Sequence, residues 1–198
     1  MMQEIELAQL CKLVIEIVRP VGNYIREARK NFAEITIEKK GVRDFVTEVD
    51  KNAEIELVKK LQKLFPEAGF VTEEKTIVQS DKPYNWIIDP LDGTMNYVHG
   101  IPAYSISIGL EYHHEIILGV VYEMVHDEMF YAWKGSASYC NDKVIQISSC
   151  SKLQDALIAT GFPYIRTDER TTKIAATLKY FLDNGRDIRR KIGRASCR

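Results

Sequence analysis

The sequence predicts a layered α+β fold, with two N-terminal helices lying on a mostly antiparallel sheet. Three observations carry this. Apolar residues recur at helical spacing between Leu7 and Ala28, and again between Ala53 and Phe65. Between Tyr104 and Ile147 the chain then runs through short alternating segments with no helical stretch among them. Helices first and strands afterwards make a layered arrangement, whereas a doubly wound parallel sheet needs the two to alternate.

The elements follow in order. Leu7, Cys11, Val14, Val18, Val21, Ile25 and Ala28 form one stripe, and Pro20, off that stripe, is expected to kink the helix or break it in two. Alternation at Ile35, Thr36 and Ile37 suggests a short strand, and Gly41 a turn. The second helix starts near Thr47, where Thr47 and Asp50 resemble a capping box, and stops at Pro66. Phe70 and Val71 run into two acids, Glu73 and Glu74, and residues 76–84 read as a mobile polar surface loop. Strands are expected at 104–110, 116–122, 129–133 and 143–147, with Asn141 and Asp142 as a turn. After Ser151 the pattern changes: 157–161 reads as a strand, and Ile174 to Leu182 as a helix closed by Asn184 and Gly185. Residues 1–150 are thus expected to form one α+β domain and 151–190 the start of an α/β domain.

Composition bounds the function. Of 198 residues, 45% are hydrophobic and 28% charged, the balance of an ordinary globular chain. The 27 basic and 28 acidic residues nearly cancel, so no basic field argues for a nucleic-acid partner. No apolar run approaches the ~20 residues of a membrane span. The opening residues are acidic and unlike a signal peptide. Cys11, Cys140, Cys150 and Cys197 have no metal-site spacing and read as thiols, and the four histidines suit no metal scaffold. A cytoplasmic enzyme with neither nucleic-acid nor membrane partner is expected.

The stretch that carries chemistry is residues 86–97. An apolar run, Trp86 to Ile88, drives a strand into the core and delivers Asp89 and Asp92 at its end. Pro90 lies between them and lacks the amide hydrogen of a ladder residue, so a turn is expected there. Gly93 allows close backbone approach and Thr94 offers a hydroxyl. Two acids three residues apart can converge on a hard cation, and the glycine and threonine amides can hold a phosphate. With Glu73 as a third acid at a strand end, the set suits a magnesium-dependent phosphatase. In a two-metal site the ions lie ~3.5–4 Å apart. Thr94 is placed to hydrogen-bond an attacking water whose proton Glu73 accepts. On the residues alone, Asp50 reads as a helix cap and Lys39 as a surface lysine.

The segments WIIDPLDGTMNY (86–97), FVTEE (70–74), DFVTEVD (44–50) and the strand at 104–110 closely resemble, in order, those of the inositol monophosphatase family. The likeness covers roughly residues 5–190. It implies a layered α-β-α-β sandwich of the sugar phosphatase type and magnesium-dependent, lithium-sensitive hydrolysis of a phosphate monoester. By that match Glu73, Asp89, Asp92 and the Leu91 carbonyl are metal ligands, and Asp92, Gly93 and Thr94 meet the substrate phosphate. The resemblance also makes Asp50 the residue that orients Thr94, and Lys39 an active-site lysine. A small-molecule sugar or inositol phosphate is the implied substrate, and a homodimer the implied assembly.

The sequence also departs from the family. The second family signature, a Trp-Asp pair followed by Ala-Gly, is not present, and its aspartate completes a second metal position. After Arg190, residues 192–198 read as the translation of a sequencing adapter, so 191–198 is expected to be a foreign tail. The second layer is then incomplete, and this chain is expected to bind magnesium weakly and turn over poorly or not at all. Among substrates, inositol 1-phosphate leads. The bisphosphate nucleotidases of the superfamily usually carry Lys-Glu after Asp-Gly-Thr, where this chain has Met95, Asn96 and Tyr97. Fructose-1,6-bisphosphatase activity, a non-catalytic binding role and an inactive fragment are the alternatives.

Overall fold

The computed structural model describes residues 4–30, 37–40, 44–78, 82–161 and 167–190; the side chains of residues 4, 5, 37–40, 44–47 and 190 lie outside the description. The expectations at Ile35, Thr36 and Gly41, the Thr47 cap and the tail at 191–198 fall outside it.

Helix α1 runs unbroken over Glu4–Lys30 with Pro20 inside it. The predicted break does not occur, because Pro20 lies on the exposed face and the stripe on either side of it is anchored. Leu7, Cys11, Val14, Val18, Val21 and Ile25 are all buried, and Ala28 packs against the same core. Each buried valine, leucine or isoleucine of the stripe contributes about 1.5–3 kcal/mol by leaving water. A hairpin of β1 (Ile37–Lys40) and β2 (Asp44–Thr47) leads directly into α2, Glu48–Leu64. The buried face of α2 comprises Val49, Ala53, Leu57, Val58 and Leu61, with two acids among them, Asp50 and Glu54.

Both helices cover one seven-stranded sheet. Its strands, in spatial as in chain order, are β3 (Gly69–Thr72), β4 (Tyr84–Asp92), β5 (Ser105–Tyr112), β6 (Glu115–Glu123), β7 (Glu128–Trp133), β8 (Ser138–Cys140) and β9 (Lys143–Ile145). A short helix α3, Thr94–His99, intervenes between β4 and β5. Only β3 and β4 run parallel; every later pair is antiparallel. The turns explain the succession of hairpins. Asn141 and Asp142 both have positive φ (47° and 65°), as do His113 and His114 (47° and 66°). Two such residues in a row make the hairpin turn whose twist matches that of the strands.

A second, smaller unit follows. β10 (Leu157–Thr160) and β11 (Asp187–Arg190) pair in parallel, with α4 (Asp168–Asn184) between them in the chain. Thr167 caps α4 by accepting from the Arg170 amide at 3.3 Å. No residue of α4 is buried, and Leu157, Tyr180 and Leu182 are exposed. The fold is the layered α+β sandwich expected from the sequence, with little of its second layer covered.

Candidate active site

The expected turn at Pro90 is instead continuous strand. β4 extends to Asp92, and the register explains how a proline is accommodated. Asp89 faces Ser107 and Asp92 faces Ser105, so three steps along β4 match two along β5. The extra residue is a β-bulge, a position where a missing ladder amide costs nothing. Asp89 and Asp92 therefore project from a rigid strand end, with buried Pro90 and Leu91 between them. Gly93 adopts a left-handed conformation (φ 97°, ψ 31°), which a side chain would disfavour. Its carbonyl accepts the amides of Asn96 and Tyr97 at 2.8 and 3.0 Å, which starts α3.

Parallel pairing brings the third acid. Gly69 to Thr72 align with Asn85 to Ile88, and the Glu73 amide donates to the Ile88 carbonyl at 3.3 Å. Glu73, just past the end of β3, is thus level with Asp89 on β4, which runs on to Asp92. From α2, Asp50 reaches the same place, 3% exposed, its Oδ2 lying 3.3 Å from the Thr94 hydroxyl. That hydroxyl also lies 3.0 Å from the Leu91 carbonyl, the nearer of two acceptors for its single proton.

Burial, and then the charges of Glu74, Glu73 and Asp89, push the Asp50 carboxyl up to about 9. Four carboxylates thus share one neighbourhood, and Glu74, which the sequence reading gave no role, is the strongest electrostatic neighbour of Asp50. Every donor there is an oxygen, the chemistry that hard divalent cations take, and a cation among them would offset the repulsion that raises Asp50. In donor chemistry the residues fit magnesium. Among the described residues, no group of three or more His, Cys, Asp or Glu side chains is closed around a single point. Lys39 pairs through its backbone with Phe45 in the β1–β2 hairpin; its side chain lies outside the described residues.

One residue of this region has no counterpart in the sequence reading. Glu54, fully buried on α2, accepts from the Glu74 amide (2.7 Å), the Thr76 amide (2.8 Å) and the Thr76 hydroxyl (2.6 Å). The start of the expected surface loop is therefore anchored at Thr76. The sequence offers only a weak signal for it, a glutamate four residues after Asp50 on the helix face that also carries Ala53 and Leu57.

An α+β sandwich with acids gathered where two parallel strands adjoin and a Gly-Thr helix start is the fold and donor set of a sugar-phosphatase-type protein. The model of the inositol monophosphatase family matches residues 6–198, and the chain belongs to that family. It is 31% identical over 182 residues to the Nus factor SuhB of Haemophilus influenzae, covering 91% of this chain and 68% of that protein. It is 40% identical over 160 residues to inositol monophosphatase 2 of Solanum lycopersicum, covering 78% of this chain and 59% of that protein. The crystal structure of the extragenic suppressor protein suhB of Bartonella henselae superposes with a TM-score of 0.83 at 32% identity, covering 90% and 69%. An IMPase/NADP phosphatase solved with NADP and Ca2+ superposes at 0.77 with 28% identity, covering 93% and 67%. The chain thus spans about three-fifths to two-thirds of the length of these relatives.

Proposed function

We propose that the protein is a magnesium-dependent phosphate monoester hydrolase whose substrate is an inositol monophosphate. The observation that supports this best is the parallel pairing of β3 with β4, with Glu73 beside Asp89 and next to buried Asp50. In this reading Glu73, Asp89, Asp92 and the Leu91 carbonyl hold magnesium, and the Gly93 and Thr94 amides, with Asp92 alongside, meet the substrate phosphate. Bound magnesium supplies positive charge to the phosphoryl oxygens and lowers the pKa of water. The chain's own residues do the positioning. Asp50 holds the Thr94 hydroxyl, Thr94 orients the attacking water in line with the ester oxygen, and Glu73 accepts the water's proton. Lys39 adds a positive charge. Residues 1–150 form the metal-binding part, and 151–190 begin a second, α/β domain. The relative solved with Ca2+ supports a divalent cation, and the tomato relative's name supports the substrate class.

Phosphate release from inositol 1-phosphate, a 3′(2′),5′-bisphosphate nucleotide and fructose 1,6-bisphosphate, each with and without magnesium, tests this. For a chain that includes the second family signature, magnesium-dependent release from the inositol ester, abolished by Asp92→Asn, is the expected result; the 198-residue chain should release little. Release unchanged by Asp92→Asn would remove the metal assignment. The name of the Haemophilus influenzae relative, a Nus factor, favours a second reading: a binding role in a larger assembly. It also removes the support for excluding nucleic acid, because near-zero net charge describes the whole surface and not one patch of it. Retention of the acids and Thr94 together favours hydrolysis.

A further inference from the structure

We infer that Glu54 is a positioning residue for the metal-binding end of β3, and that Thr76 is its partner; the inference rests on the reading of Glu73 as a magnesium ligand. Glu73 itself is exposed and follows the last residue of β3, so burial does not fix its side chain. Its backbone is fixed instead, on two sides. Its own amide donates to the Ile88 carbonyl of β4, and the next amide, that of Glu74, donates to Glu54 Oε2 on α2. The peptide group leaving Glu73 is thus tied to the helix, and the one entering it to the sheet. Together these set the direction of the Glu73 side chain.

The segment does not hold this shape by local preference. Lys75 is left-handed, with φ 53°, a conformation that non-glycine residues adopt at a cost. On either side of Lys75 the amides of Glu74 and Thr76 converge on one carboxylate, and the Thr76 hydroxyl adds a third bond at 2.6 Å. Both carboxylate oxygens of Glu54 act as acceptors. An amide in their place would turn a donor toward donors. Asp50 and Glu54 lie four residues apart on one helix face, so α2 supplies both a group at the site and the anchor behind it. Partners that hold metal ligands from behind typically change metal affinity about 10–100-fold when replaced.

The test uses the 198-residue chain and magnesium, titrated calorimetrically, alongside hydrogen exchange at the Glu74 and Thr76 amides. Glu54→Gln and Thr76→Val are expected to weaken magnesium binding about tenfold and to speed exchange at those two amides. Thr76→Ser, which keeps the hydroxyl, is expected to bind like wild type. Glu56→Gln, on the same helix but paired with Lys60 on the surface, serves as the control and should change neither readout. Wild-type magnesium binding with unchanged affinity in both Glu54→Gln and Thr76→Val overturns the positioning role alone. Loss of affinity that comes with faster exchange throughout the sheet would assign Glu54 to the fold, and also overturns it. A wild-type chain that binds no magnesium overturns the site reading itself.

Discussion

Replacing Asp50 by asparagine should make this protein more stable while weakening its site. An ordinary aspartate in the unfolded chain titrates near 3.8, whereas burial and the neighbouring carboxylates hold Asp50 up to about 9 in the fold. Between those values the folded state keeps a proton that the unfolded state has lost. Stability therefore falls as pH rises, by about 1.4 kcal/mol per unit in the ideal case. At pH 7 the penalty is on the order of 2–4 kcal/mol once the protein's response to the charge is allowed for. Asparagine cannot ionise and fills nearly the same space. With EDTA present, thermal unfolding of Asp50→Asn at pH 7 should shift upward by roughly 4–15 °C, taking ~2–4 °C per kcal/mol for a chain of this size. The gain should shrink toward pH 4, where the wild-type group is protonated in both states. With a cation neutralising Glu73 and Asp89, Asp50 can ionise and accept from Thr94 as a carboxylate; asparagine accepts more weakly, so hydrolysis by the variant should fall. A variant less stable than wild type at pH 7, or a gain independent of pH, would refute the reasoning.

Two further predictions concern the packing. A Cβ at Gly22 would lie 2.4 and 2.6 Å from ring carbons of Tyr122, a fully buried side chain whose hydroxyl is held by Asp127 at 2.6 Å. Gly22→Ala gains about 1 kcal/mol of helix propensity but overpacks the α1–β6 contact by ~1–3 kcal/mol or more, so the thermal midpoint should fall by several degrees; a rise would show that Tyr122 can move aside. Cys11 is fully buried and its thiol is pushed up to about 12 by burial, whereas Cys150 is exposed. A thiol reagent at pH 8 should label Cys150 rapidly and Cys11 only on unfolding, as peptide mapping would report; equal labelling in the native state would contradict the burial of α1.

What the sequence made legible follows from how each feature is encoded. The α1 stripe and the hairpins are local periodicities, and they survive because each buries one face against one neighbour. Asp89, Asp92 and Thr94 are legible because they adjoin a strongly apolar strand, and the likeness of residues 86–97 to a known family sharpened them. The bulge at Pro90 was not, since a proline between acids reads locally as a turn, and only the pairing with β5 shows that the ladder continues through it. His113 and His114 lack the glycine or asparagine that marks a two-residue hairpin turn, yet both take the left-handed conformation because β5 and β6 pair on either side. Glu54 was hidden for a different reason. A glutamate on a helix looks solvated, and its role depends on amides about twenty residues away that only the fold brings to it.

We propose that Glu73 and Asp89, carried by neighbouring parallel strands, hold one divalent cation together with Asp92. Magnesium titration of the wild-type chain against Glu73→Gln and Asp89→Asn tests it most directly. Saturable binding that each substitution alone weakens at least tenfold, with the pair little worse than either single change, is the predicted result. Binding that survives both substitutions, or none in the wild type, would contradict it.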